Sequence, residues 1–466
     1  MSKFQTFYPG IYTDREKAGM EVFLAEAKAL QERGPIDVKA LISGTLPEGT
    51  PGVSNKLEVK EDMMLYNAYK YDPENPLYTD DEYAKKMGYE GKIAMPAFGA
   101  HDDSILTAFP REARDMMCVC SLNHWVKQLA PIYAGDTLYI VKDSINFTDI
   151  TPEEGGEYRN MVIQCFGSVY NQNGVKVTEV MFGATENLKS WKEGEMDPSV
   201  PAWLSPDWWK RPEYVYTDAD WETIKELWKN EKRQGAEPLY WQDVKVGDKP
   251  TWTCEGPIES TANPTPPYGM GVGGSRTMKK EMLDPANPAK MVKDEKTGVY
   301  FPEDPKVLTP EPPEFDDPRR NMAPPPMPEG EGGEPAPMPA PPKQTKRGIF
   351  INFAGRDFAI RHINNWMGDH GWLKEIQWGI MTDLSDFGFD FPMNPDAPNF
   401  VGMAPSMAGR RIEGHGLQHD VMIIKSEVVG KTVKNGEHLV DLIFWMETID
   451  GCIYEHGKAT VKLPSK

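Results

Sequence analysis

Apolar residues recur at helical spacing from Asp14 to Glu32, where Met20, Phe23, Leu24, Ala27 and Leu30 share one face and Gly34-Pro35 supplies a stop. In the stretch Tyr71 to Gly99 an Asn75-Pro76 turn halts an extended segment. A short amphipathic helix around Asp80 to Met87 follows and stops at Gly88. The apolar run Ile93 to Ala97 then leads through Gly99 into a further helix, with helical spacing again from Asp103 to Met117. The pattern changes to strands at Asn123–Leu129, Thr137–Phe147, Tyr158–Tyr170 and Val175–Ala184, with turns at Pro131–Asp136 and at Asn171-Gln172-Asn173-Gly174. Helical spacing returns at Asp218–Lys232 and at Asp357–Trp366, the latter with Phe358, Ile360, Ile363 and Trp366 apolar. The chain closes on strands at Val421–Val429, Leu439–Thr448 and Tyr454–Leu463, separated by Asn435-Gly436 and Asp450-Gly451 turns.

The two ends of this pattern rhyme. GDTLYIVKDSINF with the strands and Asn-Gly turn after it matches DVMIIKSEVVGK and its successors: strand, break, strand, Asx-Gly turn, strand. NHWVKQL and HGWLKEI match as the strand after each helix. This is a weak internal duplication, consistent in order. It predicts an α+β protein of two units, each an antiparallel sheet wrapped around a central helix: residues 1–187, a Trp- and Pro-rich connector at 188–237, and 238–466. The six tryptophans between 191 and 228 argue for an ordered connector. Residues from about 285 to 346 are so rich in Pro and acid that an irregular or polyproline insertion is expected; a second insertion spans 382–409.

A net charge of −20 argues against a nucleic-acid partner but does not exclude an anionic, phosphate-bearing cofactor held by a few local cations. No run approaches the ~20 apolar residues that cross a bilayer. The first residues lack the apolar core of a secretory signal, which predicts a cytoplasmic protein without a membrane partner. The five cysteines (Cys118, Cys120, Cys165, Cys254, Cys452) do not cluster as metal ligands do, and read as buried thiols. His415 and His419 with Asp420 have metal-type spacing only on a helix, which their glycines oppose, so no metal is expected. The glycine-rich run at 269–274 follows no strand and is not a dinucleotide fingerprint.

The wording D-x-E-N-P-L-Y-x-D-x-x-Y-A-x-x-x-G-Y-x-G-x-I-A at 72–94 resembles the MaoC-like acyl-CoA dehydratases, also called (R)-specific enoyl-CoA hydratases, and Y-W-x-D-V-x-V-G-D-x-P at 240–250 resembles their usual first line. The resemblance implies a double hot-dog fold. It also implies addition or removal of water at a 2-enoyl-CoA thioester, with coenzyme A as part of the substrate and no other cofactor. Such sheets often extend edge to edge, which would give a homodimer.

The family motif, D-x-N-P-L-H, sets an Asp five residues before a His. Here Pro73 and Tyr78 occupy those positions and Asp72 is displaced by one. Pro96 stands where the family has an amide donor, and Met95-Pro96-Ala97-Phe98-Gly99 resembles the non-catalytic, substrate-binding half of eukaryotic double hot-dog hydratases. The catalytic candidates are therefore Asp357 with His362, at the required separation in the second unit, and Asp72 with Tyr78 in the first. On a regular helix the former pair would lie ~140° apart and would not converge. Asn75, Met95, Phe98, Gly99, His101, Asp369 and His370 are substrate-binding candidates, and Lys92, Arg410 and Arg411 are candidates for the coenzyme A phosphates. Capping, surface or core roles are the alternative for each. The altered motif suggests a bulky or branched acyl group. A non-catalytic thioester-binding protein and a hot-dog thioesterase remain the rival functions.

Overall fold

The computed structural model describes residues 14–54, 56–99, 116–149, 159–190, 211–257, 291–302, 354–380, 416–417 and 419–466. The N-terminal part contains α1 (Asp14–Arg33), α2 (Val38–Ser43), β1 (Leu57–Glu58), α3 (Glu61–Tyr71), α4 (Pro76–Thr79) and α5 (Asp81–Lys86). Four long strands follow: β2 (Met116–Gln128), β3 (Thr137–Asp149), β4 (Arg159–Tyr170) and β5 (Lys176–Ser190). After α6 (Asp218–Asn230) come the short β6 (Thr253–Glu255), β7 (Met291–Lys293) and β8 (Tyr300–Pro302). The C-terminal part holds α7 (Ala354–Met367), β9 (Trp372–Ile380), β10 (Met422–Lys434), β11 (Glu437–Glu447) and β12 (Ile453–Lys462).

Among the described residues, ten strands form one antiparallel sheet in the order β1-β3-β4-β5-β2-β9-β12-β11-β10-β6. Strands β2 and β9 lie at the centre of the sheet, and β1 and β6 form its two edges. A large antiparallel sheet with few helices fits a hot-dog fold. The halves join where β2 pairs β9, with His124 opposite Trp378 and Val126 opposite Ile376. One row of side chains continues through this junction from Phe182 to His124, Trp378, Gly457 and Phe444. Glycine is required in that row: a Cβ on residue 457 would lie 2.1 Å from the Gln377 carbonyl oxygen and 2.3 Å from the Phe444 ring.

Period-2 patterning places alternate strand residues against the helices, and a continuous core results. It contains Phe147, Ile163 and Val180 from one half and Ile376, Trp378, Leu442 and Phe444 from the other. Helix α7 buries Phe358, Ile360, Ile363 and Met367 in this core, and Phe358 meets Tyr71 of α3 edge-to-face at 5.3 Å. Helix α1 adds Ala27 and Leu30 to the same core and docks on β3 through Lys142 Nζ to Glu26 Oε1 at 2.6 Å and Arg33 Nη1 to the Lys142 carbonyl at 3.0 Å.

Within the connector the structure describes residues from 211 onward. Thr217 and Asp220 form a capping box that starts α6. The indoles of Trp221 and Trp228 then donate to the Gly298 and Cys254 carbonyls at 2.7 and 3.0 Å. Two expectations need correction. Residues 291–302, inside the stretch expected to be irregular, form the β7–β8 hairpin, because Val299 is buried against Trp221 and Tyr216. Met116 and Met117, read as the end of a helix, are strand residues paired with Ser190 and Lys189. The Asn435-Gly436 turn has positive φ at both residues, as a two-residue hairpin demands. The central helix expected to follow Gly99 lies outside the described residues.

Candidate active site

Helix α3 ends at Asp72, whose φ of −144° leaves the helical region while its amide still bonds the Ala68 carbonyl. Asn75 then starts α4: its Oδ1 accepts from the Leu77 amide at 3.1 Å, and Pro76 fills the first helical position. The same Oδ1 accepts from Arg233 Nη2 at 2.7 Å, and Asn75 Nδ2 donates to Asp72 Oδ2 at 3.3 Å. One turn further, the Tyr78 hydroxyl accepts from Asn364 Nδ2 at 2.7 Å. A tight turn thus aims Asp72 and Tyr78 of the N-terminal half at α7 of the C-terminal half.

Helix α7 answers with one stripe, Asp357, Arg361 and Asn364, spaced to share a face. Arg361 Nη1 donates to Glu255 Oε1 at 2.9 Å, Nη2 contacts Glu231, and Nε lies 3.8 Å from Asp72 Oδ1. Just beyond the helix, Asp369 accepts from the Tyr83 hydroxyl and from Arg233 Nη2. Asp72, Asn75, Tyr78, Arg361, Asn364 and Asp369 are all buried. Four carboxylates (Asp72, Glu231, Glu255, Asp369) therefore meet two guanidinium groups (Arg233, Arg361) in a low-dielectric junction. Burial, reinforced by the charges of Asp72 and Asp369, holds the Tyr78 phenol far above its ordinary value and so protonated. Tyr83 is pushed up to about 12, first by burial and then by Asp369. Arg361 is pulled below its usual range by burial, against the pull of Asp72 and Glu74.

The other expected pair does not assemble. Helix α7 is regular, so Asp357 and His362 point to different sides of it. Asp357 Oδ1 takes two bonds from Arg356, at 2.8 Å from Nε and 2.6 Å from Nη2, and Arg356 Nη1 donates to His124 Nδ1 at 2.7 Å. His362 is wedged against the sheet, with Nδ1 3.0 Å from Thr253 Oγ1 and Nε2 2.8 Å from Ser426 Oγ. Burial pulls its imidazole down to about 3, with the Arg361 charge adding to the effect. A neutral ring with both nitrogens engaged is a packing element.

The remaining candidates are scattered. Met95 and Phe98 are core residues, and Gly99 takes a φ of +74°. Lys92, expected near phosphates, closes its own loop on Asp81 at 2.8 Å and Glu61 at 2.7 Å. His370 is exposed and its Nε2 lies 3.1 Å from the Ala236 carbonyl. His101, Arg410, Arg411 and His415 lie outside the described residues, while His419 pairs with Glu213 at 2.9 Å.

The sequence reading missed Arg361 and Asn364, although both continue the helical stripe of Asp357 at i+4 and i+7. It also missed Glu231 and Arg233, which the connector delivers with no local signal. A further buried acid, Glu455 on β12, faces the first turn of α7. Trp378 Nε1 donates to its Oε2 at 2.6 Å, and a Cβ on Gly355 would overlap that oxygen at 1.9 Å. Burial pushes Glu455 up to about 8.

No protein-family model matches the chain, and no curated protein matches it. Among solved structures it is similar to a MaoC-like dehydratase at 14% identity, covering 89% of this chain and 97% of that one, with a TM-score of 0.44. A putative MaoC domain protein dehydratase from Chloroflexus aurantiacus gives 10% identity, coverage of 89% and 94%, and 0.42. A Mycobacterium tuberculosis protein with a double hot-dog fold gives 8% identity, coverage of 92% and 98%, and 0.39. Such low identity does not transfer an activity to this chain.

Proposed function

We propose that the chain is a hydratase or dehydratase that adds or removes water at a 2-enoyl thioester, built from two hot-dog units whose junction carries the chemistry. The observation that carries this reading is the buried meeting of Asp72 and Tyr78 with α7, so that the site is complete only when both halves contribute. In the dehydration direction the Asp72 carboxylate takes a proton from the α-carbon of a 3-hydroxyacyl thioester. The Tyr78 phenol gives its proton to the departing hydroxyl, which leaves as water. Return of the proton from Asp72 to the Tyr78 oxygen restores the starting state, and hydration runs the same steps backwards. Asn75 donates to the Asp72 carboxylate and the Arg361 guanidinium lies beside it, while burial keeps Tyr78 protonated until the transfer. The donor that the sequence motif replaced, histidine, is thus supplied by a phenol.

The test is incubation of the full chain with aliphatic, branched and aromatic enoyl-CoAs, following loss of the conjugated-thioester absorbance. Asp72→Asn and Tyr78→Phe should each lower turnover by about a hundredfold or more, within the usual range for a lost acid or base. His362→Gln should retain turnover if it folds. Release of free thiol without hydration would replace this reading with a thioesterase. Saturable acyl-CoA binding without turnover would replace it with a binding protein.

A further inference from the structure

Asn364 and Tyr78 are bonded to each other, yet between them they leave hydrogen-bonding capacity unused. Among the described residues the buried Asn364 carbonyl oxygen Oδ1 has no partner, and the Tyr78 hydroxyl has no acceptor for its own hydrogen. Asn364 is 3% exposed and Tyr78 3%, so bulk water does not satisfy either group. With the amide nitrogen donating to the phenol, an amide acceptor and a phenol donor remain open. One donor and one acceptor thus stand side by side in a dry setting, where an unmet polar group costs most.

A hydroxyl group has the matching complement, since it donates one hydrogen and accepts another. A carbonyl would leave the amide acceptor unmet, an ammonium would leave the phenol donor unmet, and the surrounding carboxylates of Asp72 and Asp369 disfavour an anion. Building on the reading of Asp72 and Tyr78 above, we infer that Asn364 and Tyr78 form a receptor for one hydroxyl group, the water that is added or the 3-hydroxyl that is removed. Tyr78 donates to the oxygen of that group and Asn364 accepts its hydrogen. The phenol proton is thereby placed on the atom that must leave as water. Asn364, carried by α7, makes the C-terminal half a direct participant in recognising the group.

The test compares binding of a saturated acyl-CoA with that of its 3-hydroxy derivative by titration calorimetry on the full chain, for each carbon skeleton in the panel. The hydroxyl should tighten binding to the wild type by about tenfold, the value of one well-made buried hydrogen bond. Asn364→Leu and Tyr78→Phe should each abolish that increment while leaving affinity for the saturated thioester within about twofold of wild type, as expected when only the hydroxyl contact is lost. Tyr78→Phe removes a single oxygen, so it carries the test if Asn364→Leu fails to fold. A wild type indifferent to the hydroxyl, or variants that keep the preference, would overturn the inference while leaving the reaction assignment standing. Failure of the wild type to bind either thioester would overturn the reaction assignment and this inference with it.

Discussion

Replacing Glu455 by glutamine should stabilise the protein, and increasingly so as pH rises. The carboxyl ionises near 4.5 in an unfolded chain but is pushed up to about 8 in the fold by burial between β12 and α7. The folded state therefore holds this proton more tightly than the unfolded state does, so stability is undiminished below pH 4.5 and falls as pH rises towards 8. At pH 7, two and a half units above 4.5, the loss at about 1.4 kcal/mol per unit comes to about 3 kcal/mol. Above pH 8 it levels off near 5 kcal/mol on the same basis. Glutamine keeps an acceptor for Trp378 Nε1 and carries no charge to penalise. Urea unfolding of wild type and Glu455→Gln between pH 5 and pH 9 measures the difference. The two curves should nearly coincide at the acid end and separate by several kcal/mol at the alkaline end. Parallel curves would refute the argument, because they would mean that Glu455 ionises in the fold as readily as in water. Glu455→Ala would instead lose stability at every pH, since it strands the buried indole N–H.

His362 gives the opposite sign. Its folded value of about 3 lies below the ordinary 6.5, so its contribution is complete above pH 6.5 and is lost as pH falls towards 3; wild type should lose about 2 kcal/mol more than His362→Gln between pH 7 and pH 5. Asn75→Ala removes the α4 cap and one partner each of Arg233 and Asp72, which should cost about 2 kcal/mol in urea unfolding and lower turnover. Arg361→Met leaves Asp72, Glu231 and Glu255 facing one another without their guanidinium, a loss of about 3–5 kcal/mol at neutral pH. That deficit should shrink when unfolding is repeated near pH 4.5, as the carboxylates take up protons. Gly457→Ala drives a methyl into the Gln377 carbonyl and the Phe444 ring and should cost about 3 kcal/mol, read as a lowered unfolding midpoint.

The elements of the fold were legible where hydrophobic period and turn chemistry agreed. Thr137–Asp149, Arg159–Tyr170 and Ile453–Lys462 lie within two residues of their expected bounds, because each is rich in β-branched and aromatic residues and has turn residues next to it, Ala134-Gly135 before the first, Asn171-Gln172-Asn173-Gly174 after the second and Asp450-Gly451 before the third. Met116 and Met117 were misread because a short apolar run carries no period of its own; pairing with β5 decided the matter. The β7–β8 hairpin was hidden by the composition around it. Only three residues pair on each strand, and what orders them is a distant contact, the Trp221 indole on the Gly298 carbonyl. Gly298, at a φ of +71° and hard against the Tyr216 carbonyl, cannot be replaced there without moving that backbone.

The candidate site was legible only on one side. The Asn75-Pro76 turn announced itself, and with it the placement of Asp72 and Tyr78. The partner side was sought in Asp357 and His362 because their separation copied a motif, but a motif spacing has geometric meaning only on the backbone that gave rise to it. In D-x-N-P-L-H a turn brings the two ends together; on α7 the same five residues run through more than one helical turn and drive them apart. The stripe that does face Asp72 has the helical period, i, i+4, i+7, and so could have been read from Asp357 itself. Arg233 could not, since nothing near it in sequence says that a connector will reach both Asn75 and Asp369. That reach has a consequence for cooperativity. One guanidinium bonds the turn of the N-terminal half and the segment after α7 in the C-terminal half, so the halves cannot part without stranding a buried charge. The geometry of Asp72 is therefore fixed by the association of the halves as much as by its own turn.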